Sequence, residues 1–210
     1  MIYLSPVYQV VSRLFAGLAI LCLFAGHSFG SELLEPVGRI DRPIGNASAP
    51  VTIIEYSSPT CPSCVTYRTQ VAPLIEEELV KTGKVRILFR PIARNAVDLA
   101  IFMLAEKRTG DEYQALVDLF YSRHADIAAS SNMEATIREI AASAGIGRLE
   151  FDRLVSDSLT YEALERLKDQ AMTDFGVQGT PTFFINGTRV PGAQSAVEMK
   201  ARVEDALDRE

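Results

Sequence analysis

Hydrophobic positions along this chain fall into two patterns: short runs and alternations that suit strands, and three-to-four-residue spacings that suit helices. "VTIIEYS" (51–57) is β-branched, lies between Pro50 and Pro59, and reads as a buried strand. From Thr60 the spacing turns helical, through Val65, Val71, Leu74, Ile75 and Leu79, and stops at Gly83. Pro73 is expected to kink that helix or divide it, because proline removes a donor and crowds the preceding turn. "KVRILFRPI" sets Val85, Ile87 and Phe89 against Arg86, Leu88 and Arg90, a strand alternation. Strand, helix, strand without a hairpin turn is a βαβ unit, so the two strands should run parallel. The Pro- and Gly-punctuated lead-in before Val51 has room for one short strand near Val37 to Ile40.

Strand signals then vanish. Val97, Ala100, Met103 and Leu104 form one helical stripe, and Tyr113, Leu116, Val117 and Phe120 form another. "SNMEATIREIAASAG" opens with a capping box from Ser131 to Glu134 and ends at Gly145. A short helix is expected around Leu149 to Val155 and a longer one from Thr160 to Phe175. Strand character returns in "TFFINGTRV", where Asn186-Gly187 suits a type I′ hairpin. A second capping box, Ser195 with Glu198, starts a last helix carrying Met199, Val203, Ala206 and Leu207 on one face. The predicted class is α/β: a βαβ unit, an all-helical insertion, a β-hairpin and a helix.

The first 30 residues follow a different rule. Arg13, the apolar run Leu14 to Ala25 and the small residues Ser28 and Gly30 predict a secretory signal peptide over 1–30. An uncleaved anchor is the alternative, although the run is shorter than the ~20 apolar residues of a membrane span. The expected location is periplasmic or otherwise exported. The whole chain has 21 basic and 27 acidic residues. Without Arg13 the remainder carries 20 against 27, a formal charge of −7, with no basic footprint for nucleic acid.

Loss of the signal also removes Cys22, leaving Cys61 and Cys64 in "SSPTCPSCVTYRTQ". Cys61 at a helix start faces unpaired backbone N–H groups and the positive end of the helix dipole, which favour its thiolate. It should therefore titrate below the ~8.5 of a free cysteine. Pro62 suits the first helical position, and Cys64 lies one turn on, on the same face and near enough to bridge Cys61. A redox pair is the leading reading of this spacing. A structural zinc site lacks ligands, since the only other candidate beyond the signal is His124. Copper(I) on two thiolates, or two inert buried thiols, remain open on spacing alone.

"GNASAPVTIIEYSSPTCPSC", followed much later by "GVQGTPTFFING", resembles the DsbA-like branch of the thioredoxin superfamily over about residues 37 to 208. The resemblance implies a thioredoxin fold assembled from 31–95 and 175–210, with the helical domain 96–174 inserted. It implies a cis Thr180-Pro181 bond beside the cysteines, whose loop would pair with a bound peptide as an added strand. It also places Glu55 as a buried acid beneath Cys64, a proton acceptor or relay, with Arg86, Arg90 or Lys84 as possible partners. Two features depart from the best-known oxidases of this kind. The dipeptide is Pro62-Ser63 rather than Pro-His, and Thr180 before the proline also occurs in isomerases and reductases.

The function this implies is an exported protein thiol-disulfide oxidoreductase. Its leading form is a dithiol oxidase that introduces disulfides into reduced or unfolded exported proteins. A disulfide isomerase or reductase is the alternative, and a copper-handling thiol protein the third reading. No cofactor or metal is implied. A quinone-linked membrane oxidase would recycle the pair, and the short lead-in favours a monomer.

Overall fold

The computed structural model describes residues 32–209, so the proposed signal peptide and Cys22 lie outside the described residues. The described fold is the unit that begins at Glu35. Its sheet has the order β1-β3-β2-β4-β5, with β1 at Pro43–Ile44, β2 at Val51–Ser57, β3 at Val85–Pro91, β4 at Thr182–Ile185 and β5 at Thr188–Pro191. β2 and β3 are parallel, and the other pairs are antiparallel. The short leading strand sits at Pro43–Ile44 rather than Val37–Ile40. There, Gly38 adopts a positive φ of 79° and turns the chain.

Every residue of β2 is buried, the polar Thr52, Glu55 and Ser57 included, as befits a central strand covered on both faces. Registers Glu55↔Phe89 and Tyr56↔Arg90 define the two faces. One carries Val51, Ile53, Val85, Ile87, Phe183 and Ile185, which pack into a cluster with Tyr67, Ile75, Met199 and Val203 from two helices. The other carries Tyr56 and Arg90. Arg90, although charged, is fully buried. Its guanidinium pairs with Asp41 at 2.6 Å and donates to the Tyr56 hydroxyl at 2.8 Å, the partners a buried charge requires.

The first helix, α1, begins at Pro62–Thr66 and continues through Tyr67–Val71, Ala72–Ile75 and Glu76–Val80, the second and fourth stretches being π-helical. Pro73 does not end it but stands at the start of the third stretch, where the helix is divided. The Ala72 amide reaches back five residues to the Tyr67 carbonyl, so a widened turn takes in the proline that a regular turn would exclude. Leu74, assigned to the apolar stripe, is exposed, because this widening rotates it off the buried face.

Six helices lie between β3 and β4: α2 (Ala96–Glu106), α3 (Gly110–Ser122), α4 (His124–Ala129), α5 (Met133–Ser143), α6 (Arg148–Val155) and α7 (Ser158–Thr173). α4 was not expected, being too short to show a period. The cap of α5 is Asn132, whose side chain accepts from Ala135 N, not Ser131. The helices share a core with Phe89 of the sheet and with Cys61 and Cys64. The hairpin turns at Asn186 and Gly187, both at positive φ, and the capping box of α8 (Ala196–Leu207) is fully formed.

Candidate active site

The loop after β2 delivers Cys61 to the helix start, and α2 pins that loop. Buried Asp98 accepts from Ser58 Oγ at 2.7 Å, from Thr60 N at 3.0 Å and from Arg94 N at 3.0 Å. Asn95 caps α2 with its carbonyl and donates its amide to Thr60 Oγ1 at 2.8 Å. On the other side, His124 Nδ1 lies 3.0 Å from the Pro59 carbonyl. Cys61 then takes extended backbone as the N-cap of α1, with Pro62 at the first helical position.

Both cysteines are free thiols. Cys61 Sγ lies 3.1 Å from Ser63 Oγ and 3.2 Å from the carbonyl oxygen of Thr180, and Ser63 Oγ is 3.4 Å from that same carbonyl. The three atoms form a small triangle with two hydrogens to place. As a thiol, Cys61 donates to the Thr180 carbonyl. As a thiolate it accepts from Ser63, and the Thr180 carbonyl is left free for another donor. The Thr180–Pro181 bond is cis. Pro62 is exposed at the helix start, where its fixed φ suits the first helical position.

The two sulfurs are driven apart in acidity. Burial alone pushes the Cys61 thiol up. Hydrogen bonding, from Ser63 first and also from the backbone and thiol of Cys64, outweighs it and brings the value down to about 7. The groups that act most strongly on this sulfur are neutral. Cys64, fully buried, is pushed by desolvation up to about 12, despite hydrogen bonding from Ser57, Thr180 and the Ser58 backbone. Cys61 therefore gives up its proton far more readily than Cys64.

Glu55 is buried, not an edge residue in water. Burial raises its pKa, partly offset by the Arg68 charge and by hydrogen bonding to Ser57. Its partner is Arg68 of α1, whose Nη1 lies 3.9 Å from Glu55 Oε2. Arg86, Arg90 and Lys84 are excluded as partners. The parallel register puts Arg86 and Arg90 on the opposite face of the sheet, where Arg86 binds Thr52 and Ala47 and Arg90 binds Asp41 and Tyr56. Lys84 precedes β3, at the far end from Glu55.

Residues that sequence reasoning missed complete this interior. Arg68 also reaches Glu76 at 3.0 Å and Asp118 at 2.7 Å, linking the buried acid to carboxylates at the surface. Ser57 stands two residues beyond Glu55 on the same face of β2 and acts on both Glu55 and Cys64. Tyr121 of α3 donates to its hydroxyl oxygen at 2.7 Å. The i, i+2 spacing of Glu55 and Ser57 was a usable signal. Tyr121 and Arg68, 64 and 11 positions from Ser57, carried none.

The sheet order, the helix opening on two cysteines and the facing cis-proline loop define a thioredoxin-type protein. The family model described as thioredoxin matches residues 39–205, and the chain belongs to that family. Among curated proteins it is 25% identical over 174 residues to one from Rickettsia bellii whose name places it with the protein-disulfide oxidoreductases, covering 80% of this chain and 65% of that one. It spans about 60 to 65% of the length of the rickettsial relatives it matches. Among solved structures it resembles α-DsbA1 of Wolbachia pipientis (TM-score 0.77, 23% identity, 86% of this chain and 96% of that one). It also resembles a protein-disulfide isomerase from Novosphingobium aromaticivorans (TM-score 0.73, 21% identity, 83% and 100%).

Proposed function

We propose that this chain is an exported protein thiol-disulfide oxidoreductase acting through Cys61 and Cys64, and that it works as a dithiol oxidase. The observation that carries the reading is the asymmetry of the pair: Cys61 caps α1 with its sulfur 3.1 Å from Ser63 Oγ beside the cis Thr180–Pro181 loop, while Cys64 is fully buried, so Cys61 is the more acidic thiol. The names of the rickettsial relatives agree with it.

In the oxidised protein a substrate thiolate attacks Cys61 Sγ. The Cys61–Cys64 bond breaks and its electron pair leaves on Cys64, which must take up a proton because its thiolate is unstable there. Glu55, through Ser57, is the proposed source of that proton. A second substrate thiolate then attacks the substrate sulfur of the mixed disulfide. The substrate leaves oxidised, and Cys61 departs as a thiolate held by Ser63. A good leaving group whose thiolate is stabilised favours this direction.

The isomerase or reductase reading keeps one specific support: the groups that hold the Cys61 thiolate include no cation. Capture with Cys64→Ser separates nucleophile from resolving thiol. The variant is expected to accumulate mixed disulfides with a reduced, unfolded protein in the presence of an oxidant, while Cys61→Ser accumulates none. Equal capture by both variants would contradict the assignment.

A further inference from the structure

A groove of about 280 Å³ opens between the segment following β3, the C-terminal part of α7 and the loop that carries Thr180. Thr180 belongs both to this groove and to the sulfur site, because its carbonyl oxygen is 3.2 Å from Cys61 Sγ. A polypeptide joined to Cys61 by a disulfide therefore has the residues beside its own cysteine at the groove's edge. An extended chain advances ~3.3 Å per residue, so a side chain two or three positions away reaches into it.

The lining has a definite chemistry. Ile92 and Val177 are buried and form apolar floor, and Met172 is 54% exposed, a flexible thioether able to fold over an occupant. The only charged side chains lining the groove are Arg94 and Lys168. Lys168 is held by Glu165 at 2.6 Å. The exposed Arg94 guanidinium has no hydrogen bond or ion pair among the described residues, although its backbone N–H is tied to Asp98. Asp98 is itself buried and already shared among three donors. The groove thus sets an unpaired cation among apolar lining residues and shares Thr180 with the reacting sulfur.

We infer that this groove reads an acidic side chain two or three residues from the cysteine of a substrate polypeptide, with Arg94 as its principal contact. The inference rests on the thiol-disulfide reading above. Apolar contact supplies the seat, and the charge supplies selection and a faster encounter.

The test uses the oxidised protein and three synthetic cysteine peptides, identical except for Glu, Gln or Lys at the second and third positions on both sides of the cysteine. The rate of peptide oxidation is measured with the native chain and with Arg94→Glu, and the ratio between the two proteins is taken for each peptide. That ratio cancels the peptide's own thiol acidity. The expected result is a loss of about 5- to 10-fold for the acidic peptide and a gain for the basic one, with Arg94→Lys near the native chain. The difference should fade at about 1 M salt, where the screening length falls to about 3 Å. Ratios within about twofold of one another for all three peptides would overturn the groove while leaving the thiol chemistry standing. No oxidation of any peptide would overturn both.

Discussion

The Arg68 guanidinium lies 3.9 Å from Glu55 Oε2, with both side chains almost wholly buried. Because Arg68 also holds Glu76 and Asp118, it acts as one cation among three carboxylates. Removing it with Arg68→Met leaves those charges uncompensated. That should destabilise the fold by about 3–5 kcal/mol in chemical denaturation. In whatever protein remains folded, Glu55 should hold its proton to still higher pH, shifting the pH profile of Cys64 reactions to the alkaline side. An unchanged profile would remove Arg68 from the acid–base chemistry.

Glu55→Gln separates cost from use. The folded pKa of Glu55 is raised, so the unfolded chain releases the proton first and stability falls as pH climbs above about 4.5. The glutamine variant lacks that penalty. It should be as stable as the native chain or more so near neutral pH, with a flatter stability profile on the acid side. It should also form the mixed disulfide more slowly, because the departing Cys64 thiolate loses its proposed proton source. Stability and rate that both fall would point to a structural ion pair instead.

Ser63→Ala tests the triangle. Loss of the hydroxyl donor removes a hydrogen bond to a charged sulfur worth about 1.5–3 kcal/mol, which corresponds to a rise of about one to two pH units for Cys61. Thiolate ultraviolet absorbance against pH measures it directly. A transition still near 7 would show that the helix start alone holds the thiolate.

The same acidity appears as stability. With Cys61 brought down from 9.0 to about 7, the reduced unfolded chain binds the extra proton between those values, so reduced-form stability rises as pH increases through them. The gain is at most about 2–3 kcal/mol, less where solvent screens the sulfur at the site's mouth. Above about pH 9 it reverses, because buried Cys64 keeps its proton after the unfolded chain has lost its own. The oxidised form lacks both groups, so the difference between the two melts should vary with pH in this way. A difference independent of pH would contradict the assigned acidities.

Legibility in the sequence followed the range of the interactions. β2, β3, the hairpin at Asn186-Gly187 and the cap at Ser195 are specified within a few residues, and all were readable. So were Cys61, Ser63 and Cys64, which one helical turn brings together. Leu74 misled because the widened turns of α1 break the regular period. Arg90 failed as a partner of Glu55 because the register sets it on the opposite face of the sheet, where Asp41 and Tyr56 hold it. Arg68 and Tyr121 meet Glu55 and Ser57 only after α1 and α3 have packed, and nothing local announces such a meeting.

The most direct test of the account is the equilibrium of Cys61 and Cys64 with a graded series of reduced and oxidised glutathione, read by alkylation and mass. The account predicts one two-electron transition, with a midpoint more oxidising than about −230 mV. Failure to form the Cys61–Cys64 disulfide anywhere in the series would contradict the redox pair. A midpoint at or below about −270 mV would contradict the oxidase and leave a reductant in its place.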